Sequence, residues 1–270
     1  MKSIAITSGK GGVGKTNLSA NLGIALSQLG RRVTVFDADL GLANLDVVLG
    51  ARAPYTLQHV LSGEKQLSEI VMSGPGGIGL VAGGSGVEAL VNMNGPQLDR
   101  FLTAIAGLAD DCDLLIFDTG AGVDDAVMAF CEAADEVVLI ATPDPTSVVD
   151  AYAAAKTLWY RKPNAKIQLV MNMAESAAQA EQVANRLMGI CQQFLNKAPT
   201  YFGFVRHDSK AIQCIRTRKP FLLAAPTSMA ASDVRALAKS LLTSEPARKE
   251  PTSFLDRLRS VFGGQLKESA

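Results

Sequence analysis

The sequence predicts an α/β fold, a mostly parallel β-sheet flanked by helices on both faces, with a C-terminal amphipathic helix. Three observations predict it. Near-continuous apolar runs of strand length (IAIT, VTVF, LLIF, VVLIA, IQLVM) alternate with helix-period stretches along the chain, and strands apolar throughout are those a parallel sheet buries on both faces. A glycine-rich turn joins the first run to the first helical stretch. The chain has 270 residues, 48% hydrophobic and 19% charged, enough for one large core.

In order, the expected strands are residues 3–8, 32–37, 78–82, 113–118, 135–142, 166–172 and 200–205. The expected helices are 16–29, 95–108, 146–160, 174–195 and 229–242. Gly74-Pro75-Gly76-Gly77 and Gly83-Gly84 mark turns on either side of the third strand. Residues 1–242 therefore read as one domain. Residues 243–252 fall in the stretch TSEPARKEPTS, which has two prolines, mixed charge and no apolar period, and reads as a linker. A helix is expected at 253–264 and a short tail at 265–270.

Composition excludes several functions. The 26 basic and 26 acidic side chains cancel, which argues against a general polyanion binder, and 6% aromatic residues are too few for a single-strand stacking platform. No apolar run approaches the roughly 18 residues that span a bilayer, and the N-terminal residues lack a signal-peptide pattern. Cys112, Cys131, Cys191 and Cys214 form no Cys-x-x-Cys pair and read as small buried hydrophobes of a cytoplasmic protein. His59 and His207 have no neighbouring metal-ligand partner and read as structural or surface residues.

The segment Gly9-Lys10-Gly11-Gly12-Val13-Gly14-Lys15-Thr16 satisfies G-x-x-x-x-G-K-[ST], with a buried strand before it and a helix after it. Glycines let successive backbone N–H groups of Gly11, Gly12, Val13 and Gly14 turn inward onto phosphate oxygens at the helix start. Lys15 then places charge on the outer phosphates and the Thr16 hydroxyl ligates Mg²⁺. Two further carboxylate segments end strands, where ligands sit in open α/β sheets. They are Asp37-Ala38-Asp39 and the apolar run ending in Asp118-Thr119-Gly120-Ala121-Gly122, the latter a Walker B pattern in which Asp118 holds Mg²⁺.

A second lysine at the head of the loop, Lys10, resembles the deviant Walker A motif of the MinD/ParA ATPases, and the resemblance covers essentially the whole chain. It implies ATP and Mg²⁺ as cofactors and a homodimer formed with ATP, in which Lys10 reaches the nucleotide of the other subunit. The segment from Asp37 to Asp46 resembles the family's first switch, which implies that Asp39 orients the attacking water, with Asn44 supporting the same switch, and that Asp37 helps order the magnesium shell. Asn17 joins the nucleotide site. Asn172 matches the family's adenine-binding asparagine, and Arg206 stands where the family often has a proline beside the base. Within the family the chain resembles the flagellar-number regulators, through Lys15-Thr16-Asn17, the segment from Asp37 to Asp46, Gly74-Pro75-Gly76-Gly77, Pro145-Thr146-Ser147, Asp150-Ala151-Tyr152 and Asn172-Met173-Ala174. The implied partners are an FlhF-type GTPase, flagellar switch-complex proteins or a flagellar transcriptional activator, and no specific nucleic acid. Many such regulators carry an N-terminal activator helix for that GTPase. Here the first strand begins at residue 3, which puts that stimulation in doubt.

Two other readings have local support. A division-site or DNA-partition ATPase would use the same loop, and Arg216-Thr217-Arg218-Lys219 is a short basic cluster. Iron–sulfur relatives are disfavoured by the cysteine spacing. A small-molecule kinase needs a basic lid, and residues 54–91 hold Lys65 alone. In the tail, Phe254, Leu255, Leu258, Val261 and Phe262 recur on one helical face. That face either packs on protein or enters a membrane surface. The linker, and similarity to MinD's membrane-targeting helix, favour the membrane and a location at the inner face of the cell membrane.

Overall fold

Alternation within each apolar run builds two cores, one on each side of the sheet. In the first strand Ile4 and Ile6 point to one side and Ala5 to the other; in the fifth, Leu114 and Ile116 oppose Leu115 and Phe117. The computed structural model describes residues 1–39, 44–83, 95–108, 111–243 and 252–268, with side chains of the last segment at 254–262. The strands are β1 (Lys2–Ser8), β2 (Val33–Ala38), β3 (Met72–Ser73), β4 (Gly79–Val81), β5 (Leu114–Ala121), β6 (Glu136–Ala141), β7 (Ile167–Ala174) and β8 (Thr200–Arg206). They form one sheet in the order β3-β4-β2-β5-β1-β6-β7-β8. Every neighbouring pair is parallel except β3 with β4.

The longer helices are α1 (Lys15–Gln28), α2 (Gly95–Gly107), α3 (Asp125–Ala133), α4 (Pro145–Arg161), α5 (Ala177–Leu195), α6 (Ser209–Arg216), α7 (Met229–Thr243) and α8 (Thr252–Glu268). Residues of α1, α6 and α7 fill one core, and those of α2, α3, α4, α5 and α8 the other. The seven expected strands and five expected domain helices are present within a few residues of their expected bounds. The helix α3 was not expected: it has only nine residues, and its run from Ala126 to Cys131 is short, apolar and buried throughout, which a sequence does not separate from a buried strand. The two-residue β3 and the short helices at Leu45–Val48, Leu57–Leu61, Leu67–Ile70 and Phe221–Ala224 are too brief for a periodic signal. Residues 40–43 of the expected switch, and 244–251 of the expected linker, lie outside the described residues.

The C-terminal helix differs from its expectation in two ways. It continues through Gly263-Gly264, expected to stop it, as far as Glu268. Its apolar face is also docked on the domain: Phe254, Leu258 and Phe262 are buried, and Leu255 and Val261 pack partly against the same core. Phe262 meets Phe101 of α2 and Phe130 of α3 edge-on, with ring centroids 6.1 and 5.5 Å away, and Phe254 lies 6.0 Å from Phe117 of β5. Removing three such side chains from water is worth roughly 5–8 kcal/mol before ordering costs. Arg257 closes the dock, donating to the Ala133 carbonyl at 2.8 Å and to Asp135 at 2.7 Å.

Candidate nucleotide-binding site

The loop after β1 owes its shape to glycine. Gly12 and Gly14 have φ of 77° and 90°, which side chains rarely adopt, and a Cβ on Gly9 would stand 2.0 Å from the Asp150 carbonyl oxygen of α4. The loop opens directly into α1, whose first turn has no side-chain cap, so its amide N–H groups stand ready for phosphate oxygens. Lys15 is buried and donates to the Ser8 hydroxyl at 3.0 Å, which itself donates to the Lys10 carbonyl at 2.7 Å. Burial lowers the Lys15 pKa while the Asp118 and Asp39 carboxylates oppose that shift.

Parallel pairing of β2 with β5 sets Asp37 beside Asp118 in register. Burial pushes Asp118 up to about 6, against the Ser19 and Thr16 hydroxyls and the Lys15 charge. The Ser19 hydroxyl donates to Asp118 Oδ1 at 2.8 Å, and Asp118 Oδ2 is buried and has no hydrogen-bond partner among the described residues. An orphaned carboxylate oxygen beside Thr16 fits a hard divalent cation such as Mg²⁺. Asp37 has other obligations. Its two oxygens accept from the Asp39 amide at 3.2 Å and the Leu45 amide at 3.0 Å, and burial pushes its pKa up to about 7. It thus clamps the backbone on both sides of the switch. Asp39 is half-buried and faces the carboxyl end of β5, since a Cβ on Gly120 would lie 3.4 Å from its Oδ1. Asn44 is exposed at the start of the short helix that follows.

Lys10 points away from these groups. Its ammonium donates to Thr146 Oγ1 at 2.6 Å and to Asp144 at 3.3 Å, both on the exposed edge where α4 begins. Hydrogen bonds from Thr146, with a further one from Lys10, hold the Asp144 carboxyl below the usual range. At the base end, Asn172 is buried and donates to the Val13 carbonyl at 2.7 Å. Gly14, Asn17, Asn172 and Arg206 border an apolar recess of about 140 Å³. The Arg206 guanidinium itself turns to Asp233 of α7 at 2.6 and 2.9 Å, so Arg206 shapes the wall with its charge already paired. Sequence reasoning missed Ser8, Ser19, Asp144 and Thr146. Ser19 stands one helical turn after Lys15, a spacing that could have placed it beside the strand-end carboxylate.

Comparison with known proteins agrees with this geometry. A ParA family model, described as an NUBPL iron-transfer P-loop NTPase, matches residues 1–242. The chain belongs to the ParA/MinD family of P-loop NTPases. The antiactivator FleN of Pseudomonas aeruginosa is 37% identical over 94% of this chain and 90% of its own length. The flagellum site-determining protein YlxH of Helicobacter pylori is 36% identical over 97% of this chain and 91% of its own. Among solved structures, a chain of the MinC:MinD cell division protein complex of Aquifex aeolicus superposes with a TM-score of 0.74 at 23% identity, over 93% of this chain and 99% of that one. MinD of Pyrococcus horikoshii, complexed with Mg-ADP, also gives 0.74 at 24% identity, over 90% and 97%. These two likenesses show the fold. The iron transfer named for the family model finds a poor match in three of this member's four thiols: Cys112, Cys131 and Cys191 are buried, and burial pushes Cys131 up to about 12 and Cys191 to about 11. Cys214, expected to be buried with them, is only partly so, because α6 leaves it at the margin of its core.

Proposed function

We propose that the chain is an ATP-dependent dimerisation switch that hydrolyses ATP slowly, as a dimer, and regulates flagellar number or placement at the cytoplasmic membrane face. The observation that carries the reading is the division between its two loop lysines. Lys15 is buried among the phosphate-side groups of its own subunit, while Lys10 is held on an exposed edge where a second subunit can be met. The printed function of the flagellum site-determining relative supports the flagellar assignment, that of the antiactivator relative supports a regulatory role, and membership of the family supports ATP hydrolysis.

In this reading the loop amides and Lys15 bind the β- and γ-phosphates. Thr16 and Asp118 hold Mg²⁺, which when bound neutralises phosphate charge. Asp39 orients water, and Asp37 holds Asp39 in place through its amide. Lys10 leaves Asp144 and Thr146 to reach the partner subunit's nucleotide. The docked α8 keeps its apolar face from lipid, so membrane association requires release of that helix in the ATP-bound dimer. Two released helices then reinforce one another through effective concentration. Partners of the stated kinds, an FlhF-type GTPase, switch-complex proteins or a transcriptional activator, would be met by the same dimer.

The test is the size of the protein in solution with ADP and with ATP. Wild type is expected to be monomeric with ADP and dimeric with ATP. Lys15→Ala should bind no ATP. Lys10→Ala should bind ATP and stay monomeric, and Asp39→Ala should dimerise without turnover. Wild-type ATP dimers in Lys10→Ala, or ordinary hydrolysis by Asp39→Ala, would overturn the assignment. The exposed Arg216, Arg218 and Lys219 favour one second reading, DNA partition, for which a salt-sensitive, ATP-dependent shift of nonspecific DNA is the signature.

A further inference from the structure

The carboxyl end of β7 carries a backbone feature that the functional reading leaves unused. Asn172 pairs with Val205 and Ala174 with Arg206, so Met173 is an extra residue between two pairs, a bulge at the carboxyl end of the strand. Its φ is 58°, in the left-handed region that side chains enter at a cost. The bulge is pinned on both sides. Before it, Asn172 donates to the Val13 carbonyl at 2.7 Å; after it, the His207 amide donates to the Ala174 carbonyl at 2.8 Å. Strain kept in place at a site rim is a reason to ask what the side chain reaches.

The bulge swings Met173 over the phosphate loop, where its Cε lies 3.4 Å from the position of a Cβ on Gly14. Two recesses meet at this side chain. One is the apolar slot of about 140 Å³ bordered by Gly14, Leu18, Val205 and Phe221. The other, of about 360 Å³, opens between Gly12, Val13, Asp144 and Glu175. Met173 lines both and is 42% exposed, a large apolar group standing between the apolar slot and open solvent.

We propose that Met173 is a base-contacting residue: its thioether covers the open face of the purine ring in the apolar slot and separates that ring from the subunit-facing recess. This rests on the nucleotide reading above. A flexible thioether packs well on an aromatic face, and it touches the ring without reading its edges. Met173 therefore contributes affinity for the base, and edge recognition is left to Asn172. The left-handed backbone is what aims it there, since an unbulged strand would alternate the side chain to the other face.

The proposal separates base from phosphate, so its test does the same. Titrations with Mg²⁺-ATP and with Mg²⁺-tripolyphosphate, which has no base, are compared for wild type, Met173→Gly and Met173→Leu, together with the unfolding midpoint of each nucleotide-free protein. Met173→Gly should weaken ATP about tenfold and leave tripolyphosphate unchanged. Its unfolding midpoint should stay equal or rise, because glycine accepts φ of 58° without strain. Met173→Leu, which keeps an unbranched Cβ and an apolar end, should stay within about threefold of wild type for ATP. Unchanged ATP affinity in Met173→Gly overturns the proposal. Equal losses for ATP and tripolyphosphate also overturn it, and make Met173 a support of the loop at Gly14. Wild type that binds neither ligand would instead sink the nucleotide reading itself.

Discussion

Asp37 and Asp39 stand two residues apart at the end of one strand and differ in what their oxygens meet. The Asp37 carboxylate accepts two switch amides, whereas Asp39 faces Gly120 and, through charge, Lys15 and Asp118. Removing a buried acceptor leaves its donors unpaired at about 1–3 kcal/mol. Asp37→Ala is therefore expected to slow turnover about ten- to a hundredfold by loosening Asp39, with a much smaller loss of ATP affinity. Single-turnover hydrolysis beside a nucleotide titration checks this, and a loss confined to affinity would place Asp37 at the metal instead. Lys15 illustrates a second residue-scale point. Its desolvated ammonium is held by Ser8 and by the carboxylates around it, so it is positioned before phosphate arrives.

At the scale of elements, α3 joins the two halves of the proposed switch. Its N-terminal end follows Gly122, whose amide donates to the Ser8 carbonyl at 2.9 Å, and its C-terminal end is part of the dock for α8. The carbonyls there are held by cations: Lys162 binds those of Glu132 and Ala134, and Arg257 binds that of Ala133. A displacement of residues 120–122 on ATP binding would thus reach the surface that α8 covers. Arg257→Ala is expected to weaken docking by about 1–3 kcal/mol, seen as faster amide exchange along residues 252–268 with little change in α1. Acid should act on the same clasp. Burial works against the Asp135 carboxylate, yet the Ser3 amide and the Arg257 charge together hold its pKa below the usual value of 3.8. A depressed carboxylate contributes stability that is complete above the unfolded value and is lost as pH falls through the folded one. Amide exchange in α8 should therefore accelerate below about pH 4 in wild type, and Asp135→Asn should remove that pH dependence.

For the whole molecule, the two faces of the sheet have different tasks. One core carries α1, α6 and α7 around the phosphate and base sites, and the other ends in the docked α8. No described helix is long and apolar enough to cross a membrane, so any lipid contact made by α8 is peripheral. Vesicles with anionic lipid are expected to sediment the wild type with ATP and not with ADP. A chain ending at Thr252 should stay in solution with both nucleotides. Leu258→Asp should also remain in solution, since it places charge at the centre of both the dock and the lipid-facing surface. Equal sedimentation of all three would make α8 a packing element only.

The sequence by itself determined the fold class, the strand ends and the residues gathered at them. Apolar runs buried on both faces leave a parallel sheet as their economical arrangement, and Gly9 to Thr16, Asp37, Asp39 and Asp118 follow directly from strand ends in that arrangement. It did not show α3, whose nine residues centre on a short apolar run that fits a buried strand as well as a helix. It did not show that Asp37 accepts the Asp39 and Leu45 amides, because that depends on how the backbone returns across a loop. It left the apolar face of α8 with two possible destinations, and the same five side chains satisfy either. Only the tertiary structure set Phe254, Leu258 and Phe262 against Phe101, Phe117 and Phe130, because a helical face encodes that it must be covered and not by what.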